Sequence, residues 1–93
     1  MPNAQQHCLT LAVQLLDLTL DGLAENLALD EALLEQADST PGCAEVLRLW
    51  ESARHAVVLG RSSQLDLEVH GENCRQLGVP ILRRISGGAA VLI

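Results

Sequence analysis

Breaker residues recur along this chain, and they set the length of every element it can form. Asp21-Gly22, Ser39-Thr40-Pro41-Gly42, Gly71, Gly78-Val79-Pro80 and Gly87-Gly88 divide the 93 residues into short apolar segments. Residues 11–20, LAVQLLDLTL, read as a strand that ends at Asp21-Gly22. The next segment, LAENLALDEALLEQADS, places Leu29, Ala32, Leu33 and Ala37 on one helical face, with Leu23, Leu27 and Leu34 widening it. Asn26 is the expected N-cap, and Asp30 and Glu31 fall in the early turns, where the helix dipole favours carboxylates. Ser-Thr-Pro-Gly stops the helix.

EVLRLWES alternates as a strand with one wetter face, and HAVVLGR reads as a shorter, buried strand. ESARHA between them has the length of a hairpin connection. SSQLDLEVHGENCRQLGV carries Leu67, Cys74 and Leu77 at helical spacing, interrupted by Gly71 and closed by Gly78 and Pro80. PILRRIS and AAVLI are two further strands around a glycine turn. The expected order is β-α-β-β-α-β-β: an α+β chain, a mixed sheet with helices packed on it, one domain over residues 1–93.

A chain this short buries only about 60% of the surface its unfolded form exposes. Trp50 is its only aromatic residue, so the core lacks its largest apolar pieces. The net charge of −6 argues against nucleic acid as a partner. All six basic residues are arginines, and Arg54, Arg61, Arg75, Arg83 and Arg84 follow one another between residues 54 and 84. Arginine suits bidentate recognition of phosphate or carboxylate. An acidic chain with a local arginine cluster points to a small anion. Cys8, Cys43 and Cys74 are odd in number and lack C-x-x-C spacing, which suits reduced thiols in a cytoplasm. The N-terminal residues show no secretory pattern, and no apolar run approaches the ~20 residues that span a bilayer.

His7, His55 and His70 have no metal-like spacing with one another or with the cysteines, so no metal site is expected. Cys74, on the apolar face of the second helix, reads as a buried thiol rather than a nucleophile. Trp50 reads as core or pocket wall. The chemistry concentrates in Arg83-Arg84-Ile85-Ser86-Gly87-Gly88-Ala89. Glycines let a ligand approach the backbone, and successive N–H groups in such a turn form an anion-binding concavity. Ser86 can add a hydroxyl donor. Arg83 and Arg84 on a strand point to opposite faces, so one of them shares a side with the turn. The bland reading of the same residues is a tight hairpin with solvated arginines.

RRISGGAAVL is similar to the Arg-Arg-x-Ser-Gly-Gly-Gly-Ala-Val motif of the biotin/lipoate A/B protein ligase family. ENLALDEALLE resembles that family's first helix, LRLWES its leucine-tryptophan strand and AVVLGRSSQ its Val-Val-x-Gly-Arg-x-Gln segment. The four blocks occur in the family's order and cover about residues 12–93. The resemblance implies a biotin/lipoate-ligase-like fold, incomplete here because the family's catalytic domain is more than twice as long and its lysine lies beyond residue 93. It implies attachment of lipoate or octanoate to a lysine of a lipoyl carrier domain through an acyl-adenylate made with ATP and Mg. Arg61, Arg83, Arg84, Ser86, Gly87, Gly88 and Ala89 would bind that intermediate, with no catalytic residue in this chain and Arg84 ahead of Arg83. Ala89 replaces the motif's third glycine, so its φ is expected to stay negative. Leu92 and Ile93 replace a Phe and a His, which leaves open transfer without ATP. The alternatives are a non-catalytic module that binds a lipoyl ligand or a carrier domain, and an inactive truncated product. Neither lipoate against octanoate nor the oligomeric state follows from these residues.

Overall fold

The computed structural model describes residues 13–93. Expectations for His7, Cys8 and the first two positions of segment 11–20 lie outside the described residues. The order is β1 (Gln14–Asp17), α1 (Leu23–Ser39), β2 (Val46–Leu49), β3 (Val57–Leu59), α2 (Leu65–Glu68), α3 (Gly71–Leu77), β4 (Ile81–Arg83) and β5 (Val91–Leu92). Helices and mixed strands make it α+β, as the patterning predicts. The described residues pack as two compact units that divide between Glu51 and Ser52.

The first unit is a parallel β1-α1-β2 crossover, with Gln14 opposite Val46 and Asp17 opposite Leu49. Helix α1 starts a turn earlier than expected. Gly22, not Asn26, is its N-cap, in an extended conformation and with no side-chain cap bond. Asn26 is instead the buried residue of the helix, 2% exposed. Its amide donates to the Leu20 and Gly22 carbonyls, and its Oδ1 accepts from the Leu20 N–H at 2.8 Å. The side chain therefore staples the incoming Leu20–Gly22 turn from inside and satisfies its backbone groups there. Asp30 consequently sits in mid-helix. The expected apolar face is only half-buried at Leu23, Leu27, Leu29 and Leu33, and Leu34 is exposed.

The second unit is built on β3. Ala56, Val58 and Leu59 are its most buried apolar residues, as an all-apolar central strand requires. Strand β4 pairs with β3 in parallel, Leu59 opposite Arg83, and β5 pairs with the other edge of β3 antiparallel, Val58 opposite Val91. Two expectations fail here. ESARHA is no hairpin, because β2 and β3 belong to different sheets. The glycine turn is not a hairpin either, because β3 lies between β4 and β5. The helical segment also splits: α2 and α3 are separated by Val69-His70, and α3 begins at Gly71 rather than being interrupted there. Gly78 ends α3 with φ 69°, the left-handed cap that glycine permits.

Candidate functional site

The registers decide where the glycine turn lies. Strand β4 runs parallel to β3 and ends at Arg83 beside Leu59, and β5 starts opposite Val58. Residues 84–90 therefore arch over the carboxyl end of β3, where the loop Gly60–Ser63 also leaves the strand. The carboxyl ends of strands in open sheets are the usual place for ligand crevices.

The turn's carbonyls are all taken by donors of the same unit. Ser86 O accepts from the Arg61 N–H at 2.8 Å, and Gly87 O from Arg84 Nη2 at 2.8 Å. Gly88 O accepts from Ser63 Oγ at 3.2 Å, and Ala89 O from Arg84 Nη2 at 2.9 Å. In a planar trans peptide the N–H points away from its own C=O. The carbonyls of Ser86, Gly87 and Gly88 thus turn the N–H groups of Gly87, Gly88 and Ala89 the other way. Among the described residues no acceptor binds the N–H groups of Ser86, Gly87, Gly88 or Ala89. The next one, Ala90 N–H, is capped by Glu68 Oε1 at 3.0 Å. That bond, more than the Gln64 N–H at the other carboxylate oxygen, holds Glu68 below its ordinary value.

The structure brings the residues singled out in the sequence, Arg61, Arg83, Arg84 and Ser86–Ala89, together at this place. Arg84 Nη1 reaches back to Val58 O at 3.0 Å, so its guanidinium laces the turn to β3. Arg83 Nη1 donates to the carbonyls of Gly60, Arg61 and Ser63 and laces the opposite loop. Neither arginine has a carboxylate partner at ion-pair distance among the described residues; Glu68 attracts Arg83 only at longer range. Arg61 is exposed, and its side chain has no hydrogen-bond partner there. Ser86 is exposed, and its hydroxyl makes no bond within the unit. Gly88 has φ 101°, which favours glycine, whereas Ala89 keeps a negative φ and the third glycine of the motif is not needed.

Two features escaped the sequence. Ser63, buried, bridges the two loops, and only its proximity to Gly88 in space reveals this. In the first unit, Arg48 donates to Asn26 O, Asn26 Oδ1, Leu18 O and Asp30 Oδ1, and lies 5.4 Å from the centre of the Trp50 ring. Trp50 Nε1 donates to Asp30 Oδ2 at 3.2 Å, so this half-buried indole is a wall of that network. Cys74 is half-buried and lines, with His70, a groove of about 430 Å³ between α3 and the second sheet. Among the described residues no group of three or more His, Cys, Asp or Glu could hold a metal ion, and no helix is long and apolar enough to cross a membrane.

The fold is that of a solved structure, the crystal structure of Plasmodium falciparum LipL1 in complex with lipoate. The TM-score is 0.71 over 87% of this chain and 27% of that one, at 22% identity. By sequence, the profile of the lipoyl protein ligase A/B catalytic domain matches residues 23–93. The chain belongs to that family. It is 45% identical over 69 residues to an octanoyltransferase LipM of Carboxydothermus hydrogenoformans, covering 74% of this chain and 25% of that protein. It is 46% identical over 66 residues to a putative lipoate-protein ligase A of Aeropyrum pernix, covering 71% and 24%. The chain therefore spans about a quarter of the length of these curated relatives.

Proposed function

We propose that residues 1–93 form the N-terminal part of an acyl–protein ligase or transferase domain, and that they supply the anion-binding end of its site. The observation that carries this is the turn itself: every carbonyl from Ser86 to Ala89 is bound inward, and the four N–H groups are left without acceptors. Such an array, beside two guanidinium groups with no carboxylate partner, fits a phosphate. A thioester carbonyl offers one oxygen, which is too few acceptors for four N–H groups and Arg61. An acyl-adenylate of lipoate or octanoate, formed from ATP, offers both phosphate and carbonyl oxygens.

In the proposed reaction an amine of a lipoyl carrier lysine attacks the acyl carbonyl. The new C–N bond forms, the C–O bond to phosphate breaks, AMP leaves and the amine loses its proton. Negative charge grows on the carbonyl oxygen and then on the departing phosphate. Fixed N–H groups stabilise it without reorganising, which is how preorganised donors lower barriers. Arg61 is the guanidinium able to move onto the ligand, while Arg83 and Arg84 hold the loops and contribute their field. The described residues fit the phosphate but not a magnesium ion, so the chain's part of the chemistry is the donor array alone.

A second reading rests on a fact of composition. The chain contains no lysine, so by itself it would bind the acyl-adenylate without the cation that the family resemblance assigns to a lysine, and without turnover. Titration of ¹⁵N-labelled chain with 5′-O-(N-octanoylsulfamoyl)adenosine, a stable acyl-adenylate mimic, tests the proposal. Amide shifts concentrated at Gly87, Gly88 and Ala89 are expected. Shifts elsewhere only, or none, would sink it. Incubation with lipoate, ATP, Mg²⁺ and a carrier domain should leave the carrier's mass unchanged, and an added acyl group would defeat the second reading.

A further inference from the structure

Gly60 and Gly88 approach so closely that a Cβ on Gly60 would stand 2.0 Å from the Gly88 carbonyl oxygen. The Ser63 hydroxyl links the same two residues. It accepts from the Gly60 N–H at 2.9 Å and donates to Gly88 O at 3.2 Å. One oxygen thus uses its single donor on one loop and a lone pair on the other.

Gly88 is the weak point of the turn. It alone there has φ in the left-handed region, at 101°, and with no Cβ it lets the peptide that follows it turn about ψ at little cost. If the peptide between Gly88 and Ala89 rotated, the Gly88 carbonyl would face the anion and the Ala89 N–H would turn away. A carbonyl in that position repels a phosphate. Among the described residues the one donor to Gly88 O is Ser63 Oγ.

We infer that Ser63 is a positioning residue for the anion site: its hydroxyl locks the Gly88–Ala89 peptide with the carbonyl inward and the Ala89 N–H toward the ligand. The inference rests on reading the turn as an anion cradle. Ser63 acts through the backbone and needs no contact with the ligand. Gly60 belongs to the same device, because any side chain there would push the Gly88 carbonyl out of reach of the hydroxyl.

The test compares the 93-residue chain with Ser63→Ala, Ser63→Thr and the control Arg48→Met. Residual dipolar couplings report the direction of the Ala89 N–H, and the octanoylsulfamoyl adenosine titration reports affinity. Ser63→Ala should change the Ala89 coupling and weaken binding about ten-fold, the effect of one part-buried hydrogen bond whose partners are left unpaired. Ser63→Thr, which keeps the hydroxyl, should restore both. Arg48→Met should lower the unfolding midpoint and move neither, which separates positioning from general loss of stability. If Ser63→Ala does not fold, Ser63→Cys, with its weak donor, carries the same comparison. An unchanged Ala89 coupling in the alanine or cysteine variant overturns the inference. If the unsubstituted chain ignores the mimic while its coupling still depends on the hydroxyl, the anion reading falls and the peptide lock stands.

Discussion

The two units use arginine in opposite ways. In the first, Arg48 is 4% exposed at its side chain and meets the Asp30 carboxylate at 2.8 Å, so its charge is compensated where it lies. Its remaining bonds go to Asn26 and to the Leu18 carbonyl, and Trp50 lies under it. In the second unit, Arg83 and Arg84 also bind carbonyls, but no carboxylate pairs with them among the described residues. A buried guanidinium with a carboxylate partner is a structural joint. A guanidinium bound directly only to neutral carbonyls holds its loop without an ion pair, and here Glu68 offsets Arg83 only at longer range. The same side chain therefore anchors an ion-paired network in one unit and braces two loops without a direct ion pair in the other.

The largest effect should come from removing the compensated arginine. Arg48→Met takes the donor from Asn26 O, Asn26 Oδ1 and the Leu18 carbonyl and unpairs Asp30, and should cost about 3 kcal/mol of stability. Urea unfolding measures it, and a change within error of zero would mean that the network is ornamental. Next, Gly60→Ala drives a Cβ into the Gly88 carbonyl at 2.0 Å. It should cost about 2 kcal/mol by overpacking and abolish binding of the acyl-adenylate mimic. Retained binding would show that the turn tolerates a different path.

Smaller effects separate the second unit's arginines from each other. Arg84→Ala should weaken the mimic about ten-fold and lower stability, because three carbonyls lose their donor. Arg83→Ala should do less to affinity, and Arg54→Ala, whose guanidinium binds Gly78 O, should do nothing to it. Arg61→Ala should weaken binding only a few-fold, as an exposed charge does, and leave the unfolding midpoint unchanged. Equal losses for Arg61 and Arg84, by calorimetric titration, would erase the distinction between ligand contact and brace.

The smallest effect is on pH. The Ala90 N–H lowers the Glu68 carboxyl below its ordinary value. A group depressed in the folded state stabilises it above the unfolded value and loses that contribution as pH falls through the folded one. The Ala90 amide shift should titrate at a pH below the ordinary glutamate value, and Glu68→Gln should flatten the curve. A midpoint at or above the ordinary glutamate value would detach Glu68 from the turn.

Much of the site was legible because it is local. Arg83 to Ala89 are consecutive, glycine has few uses at positive φ, and Gly88 has one of them. The buried strand Val57–Leu59 was legible because an unbroken apolar run between polar segments has nowhere else to go. Asn26 was misread as a cap. Its type and place suit an N-cap, but its bonds run back to Leu20 and forward to Arg48, and the latter lies 22 residues away. ESARHA was misread for a similar reason. A short connection suggests a hairpin until the pairing of β2 with β1 and of β3 with β4 is known.

What the sequence determined alone was most of the elements, the apolar strand at the centre of the second unit, the family and the composition of the glycine turn. Propensity, periodicity and motif order act over a few neighbouring residues, so these survive without a fold. Tertiary structure decided which way the turn's peptides face. That depends on Arg61 and Ser63 from one loop and on Arg84 folding back over β3, and on β5 pairing with β3 instead of β4. A peptide plane has no preference of its own for inward carbonyls. Donors fixed from elsewhere in the chain give it one, and they orient the Ser-Gly-Gly segment.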